Sequence, residues 1–414
     1  MSKRYTYIGT ISFLSVAILF SLAITGCGMR FGEDKSVLRI WMVGIESEAK
    51  TINEVGKIFT EEYGITVRCD AISWGEAHSK YLTSMAGEVS PDIGSMGLTW
   101  ATEFGNLGGM IDLKREFPKD VAMMKKDIFP GLWESAAYKE SVYGIPYDLS
   151  EYILYYRNDI IKRPPRTWSE LAQELEDLKE NDQGMLFDWG SMNWIGYSNF
   201  LWQAGGDFYD KEGMRCTLDS KEAAEGMRFF TELYTKYKVP KASIPLEQGM
   251  RTGDFPMAIS GNWKIVGLTL GAPEIDGKWS IATLPKGPSG KGTAFVGGRV
   301  LGIFKDCKKK DIAWEFIKFL SRPDVQVKLY EGAEREQCMY LPPNMAAWEI
   351  LPMDVEFRNV LKEQALDAKG PPSVLGWDDS TWFIDQAIQR VILEGSAPEY
   401  ELKKVVAKVE KKIK

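Results

Sequence analysis

The segment Val37-Leu38-Arg39-Ile40-Trp41-Met42-Val43 is rich in residues that favour β structure and predicts a strand. Residues 47–63 then place apolar side chains on one face of a helix, and a glycine follows them. A second strand over 65–69, a second helix over 75–86 and a third strand over 91–96 continue the alternation. Strands that alternate with helices in this way predict a parallel α/β sheet.

Helical patterns recur along the rest of the chain. Thr167-Trp168-Ser169-Glu170 is a capping box, in which the threonine hydroxyl and the glutamate carboxylate satisfy backbone N–H groups at a helix start. Amphipathic patterns predict two more helices over 221–236 and 311–320. The last segment, 399–414, predicts a helix with mixed charges and a solvated face.

Size and composition exclude several classes of protein. The chain has 414 residues, more than one ordinary core accommodates, which favours two domains. Its formal charge of −7 argues against a general nucleic-acid-binding surface, which needs a basic face. The one histidine, His78, argues against a multi-histidine zinc site and leaves little room for histidine-based catalysis. No cofactor, metal site or catalytic residue is therefore predicted.

The first 36 residues predict export and anchoring. Residues 1–26 combine an early positive charge with a long apolar run, the pattern of a secretory signal peptide. The run ends in Ile24-Thr25-Gly26-Cys27, which resembles the bacterial lipobox. That resemblance implies cleavage before Cys27, acylation of its thiol and a membrane anchor facing outward. Residues 27–36 then form a short lipidated tether, and the host could have one membrane or two.

Four cysteines remain in the predicted mature chain, and their spacing matches no metal or redox motif. An exported protein could pair them, so disulfides and free thiols both stay open. They are Cys69, Cys216, Cys307 and Cys338.

Motifs for enzymatic chemistry are absent or incomplete. The glycine-rich stretch 287–293 lacks the spacing of a phosphate-binding loop, and no GxSxG or HExxH sequence occurs. The doublet Asp378-Asp379 is of a kind usually found in solvated loops, because a glycosidase pair is defined by a separation in space.

Aromatic residues set among Gly, Asn and Asp are the main chemical signal. A sugar ring has apolar faces and a belt of hydroxyls, so aromatic planes and carboxylates together suit its recognition. Core packing is the alternative for each single tryptophan, but the set together favours a binding site. The stretches are 97–100, 189–207, 260–263 and 377–382.

The order of several motifs resembles the extracellular solute-binding proteins of bacterial ABC importers, the group typified by maltose-binding protein. The most specific match runs from Gly144-Ile145-Pro146-Tyr147 to the "Y-x-N-D"-like step at 156–159. The resemblance spans essentially the whole mature chain. Its other matching segments are 38–41, 91–93, 108–113, 165–171, 257–263, 284–298 and 313–317.

The resemblance implies a set of ligand contacts. Tryptophans would stack on the ligand, polar and acidic residues would bind its hydroxyls, and a glycine pair would let the backbone approach it. The implied residues are Glu46, Ser47, Trp100, Glu151, Asn199, Trp202, Asp207, Trp263, Gly297, Gly298 and Trp382. One departure stands out: a charged pair of the family is missing after Trp100, where Ala101-Thr102-Glu103 follows. A maltodextrin is therefore less expected than another carbohydrate.

The resemblance also implies a periplasmic-binding-protein-like α/β fold, with two lobes, a hinge and a ligand cleft between the lobes. Lobe one is expected to comprise 37–148 and 296–338, and lobe two 149–293 and 341–414. The chain would cross between the lobes near 146–151, 293–296 and 336–341.

The implied function is capture of a sugar or oligosaccharide and its delivery to an ABC permease powered by a separate ATPase. The protein is expected to be a monomer that closes on its ligand and makes no contact with nucleic acid. Three alternatives remain from the residues alone: a binding protein for a non-sugar solute such as a glycerol phosphate, a secreted glycoside hydrolase, and a glycan-binding adhesin. Few basic residues suggest themselves for a phosphate ligand, among them Arg251 and Arg299.

Overall fold

The structure is a computed structural model that describes residues 36–190 and 192–413. The predicted signal peptide and Cys27 lie outside the described residues. Val37–Lys414 forms one compact unit. Within the described ranges, no helix has both the length and the apolar character needed to cross a bilayer.

Strands and helices alternate along the chain. Up to the first crossing the elements are β1 (Val37–Val43), α1 (Glu46–Tyr63), β2 (Thr66–Ile72), α2 (Trp74–Ala86), β3 (Ile93–Gly97), α3 (Leu98–Asn106), α4 (Leu113–Glu116), α5 (Pro118–Asp127), α6 (Pro130–Ala136), β4 (Ala137–Tyr138), β5 (Ser141–Val142) and β6 (Ile145–Pro146). Between the first and second crossings they are β7 (Ser150–Arg157), α7 (Trp168–Glu180), β8 (Met185–Phe187), α8 (Asn193–Gln203), α9 (Lys221–Thr235), α10 (Leu246–Thr252), β9 (Met257–Gly261), α11 (Lys264–Gly271), β10 (Trp279–Ala282) and β11 (Ala294–Gly297). The remaining elements are β12 (Arg299–Ile303), α12 (Lys310–Leu320), α13 (Pro323–Arg335), α14 (Val355–Leu366), β13 (Ala368–Lys369), α15 (Trp377–Glu394) and α16 (Pro398–Ile413), with short 3₁₀ turns at Pro273–Ile275 and Met345–Glu349.

The first lobe is built on a five-stranded sheet in the order β2-β1-β3-β12-β6. β1 pairs in parallel with β2 and β3, which confirms the parallel α/β sheet predicted for this region. β12 returns from the far end of the sequence and pairs antiparallel with β3. Buried side chains of α1, among them Ile52 and Phe59, cover the sheet as the predicted apolar face requires.

The second lobe is built on a sheet in the order β13-β11-β7-β9-β8, with β10 also paired to β7. β8 and β9 are parallel, so their carboxyl ends lie at the same edge. α7, α8, α9, α15 and α16 contribute to the hydrophobic core on one side of this sheet. Two lobes, each with a mixed α/β sheet, confirm the predicted fold class.

The chain passes between the sheets at positions that differ from the predicted ones. Val296 and Gly297 pair with β7 of the second sheet, so the second crossing lies at Gly298 and not before 296. The segment assigned to lobe two from 341 onward begins on lobe one, since Asn344 bridges to Ile128 and the Trp348 ring contacts Phe129. The third crossing therefore falls between the Met345–Glu349 turn and α14, which packs on β7 and β10. Side-chain patterns do not reveal which sheet a short connecting segment joins.

Local predictions for the helices agree with the structure, with one change of partner. The Thr167 hydroxyl accepts from the Glu170 N–H (3.2 Å), as the capping box requires. The Glu170 carboxylate accepts from the N–H of Arg166 (2.7 Å), one residue before the position that a capping box uses.

The four cysteines within the described residues are free thiols. Three of them are buried, and Cys338 is half-buried.

Candidate ligand-binding cleft

A buried ionic cluster joins two of the crossings where the lobes meet. Arg299 follows Gly298, and its guanidinium donates to the Asp148 carboxylate of the first crossing (Nε to Oδ2, 2.7 Å). The same guanidinium donates to the Val43 carbonyl (2.7 Å) and pairs with Glu48 (2.7 Å). Gly298 has a φ of +142°, and a Cβ there would collide with the Asp148 carbonyl oxygen. The close backbone approach that Gly298 permits is therefore between two segments of the protein, whereas an approach to the ligand was predicted.

The carboxyl ends of β1, β2 and β3 supply the cleft edge of the first lobe. Parallel strands carry their binding loops at this edge. Glu46 is exposed and Ser47 is half-buried in the first turn of α1. After β2, Trp74 is half exposed and meets the Trp100 ring edge-on, with centroids 5.6 Å apart. This edge thus presents two aromatic surfaces and a carboxylate.

The carboxyl ends of β8 and β9 supply the facing edge of the second lobe. Asp188 directly follows β8 and is exposed, and its Oδ2 accepts from the hydroxyls of Tyr152 (3.3 Å) and Ser260 (3.2 Å). Trp263 follows β9, is 42% exposed and packs edge-on against Tyr152. A carboxylate held by two hydroxyls beside an exposed indole suits a ligand with both hydroxyls and apolar faces.

Helix α15 completes the second-lobe edge. Asp378, Trp382 and Asp385 share one helical face because they lie four and three residues apart. Asp385 accepts from the N–H groups of Met192 (3.0 Å) and Trp194 (2.7 Å), which ties α15 to the loop after β8. Burial raises the pKa of Asp385 to about 6, although the two hydrogen bonds act to lower this pKa. Trp382, on the same helix, is 58% exposed.

The two lobes touch at the mouth of the cleft. The Thr102 hydroxyl of α3 and the Ser373 hydroxyl before α15 are 2.9 Å apart. Beside them, His78 Nε2 lies 2.8 Å from Glu103 Oε2 in the first lobe. The Asp378 carboxylate of the second lobe comes within 4.8 Å of both groups. Burial raises the pKa of Asp378, and the Glu103 charge adds to that rise while His78 opposes it.

Several predicted site residues lie at these edges. Trp100, Trp263 and Trp382 are the predicted tryptophans there, and Glu46 and Ser47 lie in the first turn of α1, which follows β1. Gly297 ends β11 and pairs with Ser150, so it belongs to the hinge.

Glu151 differs from its predicted role, because its carboxyl group is fully buried and not open to a ligand. Neither carboxyl oxygen has a hydrogen-bond partner. Burial raises the pKa of Glu151 well above its ordinary value. Both faces of β7 are covered at this point, since Tyr152 is buried and Ser150 is half-buried beside Glu151.

Asn199, Trp202 and Asp207 form internal contacts in the second lobe. Asn199 is buried, donates to the Ile195 carbonyl (2.9 Å) and accepts from the Phe295 N–H (2.6 Å), which ties α8 to β11. Trp202 is buried and donates to Asp207 (3.2 Å). Asp207 also pairs with Lys369, and both border a cavity of about 1060 Å³ that is lined by residues of both lobes. These residues do not lie at the strand ends that form the cleft.

Several residues at the cleft were not predicted as site residues, among them Asp188, Trp74, His78 and Glu103. Asp188 carries a usable signal, because it directly follows the apolar run Met185-Leu186-Phe187 and precedes an aromatic loop. Trp74 follows β2 in the same way. His78 and Glu103 carry no such signal, since their significance depends on contact with the other lobe.

The fold and the cleft define a class of protein: a two-lobed binding protein with facing aromatic and acidic edges. A family model for bacterial extracellular solute-binding proteins matches residues 45–327, which is most of the chain. The protein belongs to that family.

Individual sequence relatives and solved structures are similar to this chain. The chain is 23% identical over 347 residues to the maltooligosaccharide ABC transporter solute-binding lipoprotein of Streptococcus pneumoniae, covering 77% of this chain and 78% of the relative. An ABC transporter solute-binding protein from Thermotoga lettingae, solved with α-D-tagatose, is 25% identical with a TM-score of 0.74, covering 92% and 100% of the two chains. The sugar-binding protein MalE of Xanthomonas citri shares the fold with a TM-score of 0.81 at 24% identity, covering 91% and 97%.

Proposed function

We propose that this protein captures a sugar or oligosaccharide in the cleft and delivers it to a membrane permease driven by a separate ATPase. The observation that carries the proposal is the pair of facing edges, where exposed tryptophans stand beside carboxylates. Trp263 and Trp382 would cover the apolar faces of the sugar rings, and Asp188 would accept hydrogen bonds from their hydroxyls. The protein would make and break no covalent bond.

Family and relatives support this assignment. The lipoprotein of Streptococcus pneumoniae handles maltooligosaccharides, and the protein of Thermotoga lettingae was solved with a monosaccharide. Both ligands are neutral and rich in hydroxyls, which fits a cleft with acidic and aromatic edges. A glycerol phosphate would meet the carboxylates of Glu46 and Asp188 there and would be repelled by them.

Attachment to the membrane belongs to the same proposal. Acylation of Cys27 would hold the protein at the outer face of the cell membrane, with residues 27–36 as the lipidated tether. Labelling cells with a radioactive fatty acid tests the anchor, because Cys27→Ser should abolish incorporation. Incorporation that persists in Cys27→Ser would contradict it.

Binding is tested by titrating the protein that begins at Gly28 with a panel of mono- and oligosaccharides. Tryptophan fluorescence and calorimetry should show saturable binding of at least one neutral sugar in the micromolar range. Trp382→Ala should weaken that binding at least tenfold, about 1.4 kcal/mol. Tyr400→Ala is a matched control, because Tyr400 is equally exposed but lies on α16, away from the cleft.

The fate of the ligand separates binding from catalysis. Chromatography of the bound sugar should return it intact, whereas shortened products would show a glycoside hydrolase. Small-angle scattering should show a smaller radius of gyration with the sugar bound, because a closed form contacts the ligand from both lobes. An unchanged radius despite tight binding would favour an adhesin. No response to any neutral sugar would refute the proposal.

A further inference from the structure

Three potential metal ligands from two lobes meet at the mouth of the cleft. His78 lies on α2 and Glu103 on α3 of the first lobe, whereas Asp378 lies on α15 of the second lobe. The imidazole and Glu103 approach to 2.8 Å, and one atom from each of the three side chains lies within 4.8 Å of the others. Within the described residues, this is the one group of His, Cys, Asp and Glu side chains that converges in this way.

The charges around the group leave it in need of a cation. Neither Glu103 nor Asp378 forms an ion pair with Lys or Arg among the described residues, although the lobes bring both carboxylates together. The neighbouring Asp379 is different, because Lys412 pairs with it at 2.5 Å. The Trp100 ring packs edge-on against His78 with centroids 5.2 Å apart, and this contact restricts the imidazole. Contact between the lobes therefore concentrates negative charge beside one oriented imidazole nitrogen.

We propose that His78, Glu103 and Asp378 form an interlobe site for a divalent transition-metal cation, with Zn²⁺ as the best fit. One imidazole nitrogen and two carboxylate oxygens suit Zn²⁺ better than Ca²⁺ or Mg²⁺, which prefer oxygen ligands alone. His78 binds through Nε2 in the tautomer that carries its proton on Nδ1, so the proton that Nε2 and Glu103 share without the metal is released to solvent as the metal binds. Water or a hydroxyl of a bound ligand fills the fourth position.

The required adjustment of the side chains is small. Ligand atoms around tetrahedral zinc lie about 3.3 Å apart, given bonds of about 2.0–2.1 Å. His78 and Glu103 must move slightly apart, and the exposed Asp378 side chain must turn toward them. Both movements are side-chain rotations at a partly open surface.

The site exists only while the lobes are in contact, because Asp378 comes from the other lobe. A cation bound to all three residues therefore favours the closed form over the open one. A ligand in the cleft favours the same form, so cation and ligand should strengthen each other's binding. This inference concerns residues outside the proposed sugar contacts, and the cation test below needs no sugar.

The test is calorimetric titration of the mature protein with Zn²⁺ at pH 7.5, without any sugar present. One cation should bind per protein, and Asp378→Asn and His78→Gln should each weaken binding at least tenfold. Asp379→Asn is the matched control, since it removes the adjacent carboxylate that Lys412 already pairs, and it should change the affinity less than twofold. Cobalt should bind at the same site without the intense thiolate absorption that a cysteine ligand would produce.

Each other result overturns the proposal. Absence of saturable binding would show that the group holds no metal. Binding unchanged in Asp378→Asn would place the ion on the first lobe alone and remove the link between lobes. Loss of binding equally in Asp379→Asn would indicate nonspecific attraction to an acidic surface. Sugar binding is measured separately, so a protein that binds sugar but no Zn²⁺ contradicts this inference and leaves the proposed function intact.

Discussion

At the scale of the residue, Arg299 should be the most sensitive position of the hinge. Its guanidinium lies between the carboxylates of Asp148 and Glu48, and little of any of these side chains is exposed. Arg299→Met leaves two buried carboxylates without a cation, which typically costs about 3–5 kcal/mol of unfolding free energy. Urea unfolding measures this loss.

Two comparison variants test whether the charge is the reason. Combining Arg299→Met with Asp148→Asn and Glu48→Gln removes all three charges and should recover much of the lost stability. Arg322→Met removes an exposed partner of Asp324 and should cost less than about 1 kcal/mol. Equal losses in the single Arg299 variant and the triple variant would contradict an electrostatic role.

Glu151 predicts a pH-dependent stability at the same scale. Its pKa is raised by burial, so the folded protein keeps this proton to a higher pH than the unfolded chain does. The carboxyl group therefore costs stability progressively as the pH rises above its unfolded pKa of about 4.3. Glu151→Gln should remove that cost, and its advantage should grow with pH by up to about 1.4 kcal/mol per unit.

Unfolding in urea at pH 5 and pH 8 measures the difference between Glu151→Gln and the unchanged protein. Glu61→Gln, at an exposed position on α1, is the control and should behave alike at both pH values. An advantage of Glu151→Gln that does not increase between the two pH values would show that the native carboxyl group is not held protonated.

At the scale of the element, the cap of α7 offers a direct test. The Thr167 hydroxyl accepts from the Glu170 N–H, one of the donors that a helix start leaves free. Thr167→Ala should destabilise the protein by about 1 kcal/mol, and Thr167→Ser should retain most of the cap. Thermal unfolding compares them. Equal stability of the alanine and serine variants would show that the hydroxyl contributes nothing.

The helices were easier to predict from the sequence than the points where the chain crosses between the lobes. Helices such as α1 and α9 carry a periodic apolar face, and their bounds agree with the predictions to within about a residue or two. The crossings were misplaced because pairing of β11 with β7 depends on backbone hydrogen bonds, which leave no periodic pattern. Glu151 was misassigned because β7 is enclosed by β9 and β11, strands distant in sequence whose pairing no local pattern reveals.

At the scale of the whole molecule, the residues at the edge of one sheet are easier to predict from the sequence than the contacts between the two lobes. Trp263 and Asp188 each follow a strand, so local order alone places them at a sheet edge. The contact of Thr102 with Ser373 joins positions 271 residues apart, and no local pattern encodes it. The same holds for His78 and Asp378, whose proximity exists only because the lobes meet.

That contact predicts a way to lock the protein closed. The hydroxyl oxygens of Thr102 and Ser373 are 2.9 Å apart, so cysteines at both positions should form a disulfide between the lobes. The oxidised Thr102→Cys/Ser373→Cys protein should take up ligand at least tenfold more slowly, because a cleft held closed hinders entry. Stopped-flow fluorescence with a sugar that binds the unchanged protein measures the rate.

Reduction should restore the rate of the unchanged protein, since the two cysteines then no longer hold the lobes together. Each single cysteine variant controls for the loss of one hydroxyl and should bind at the normal rate in oxidising conditions. The native cysteines provide little background, because Cys69, Cys216 and Cys307 are buried and Cys338 is half-buried. Rapid uptake by the fully oxidised double variant would show that ligand enters without separation at this contact, and opening would then have to occur elsewhere along the cleft.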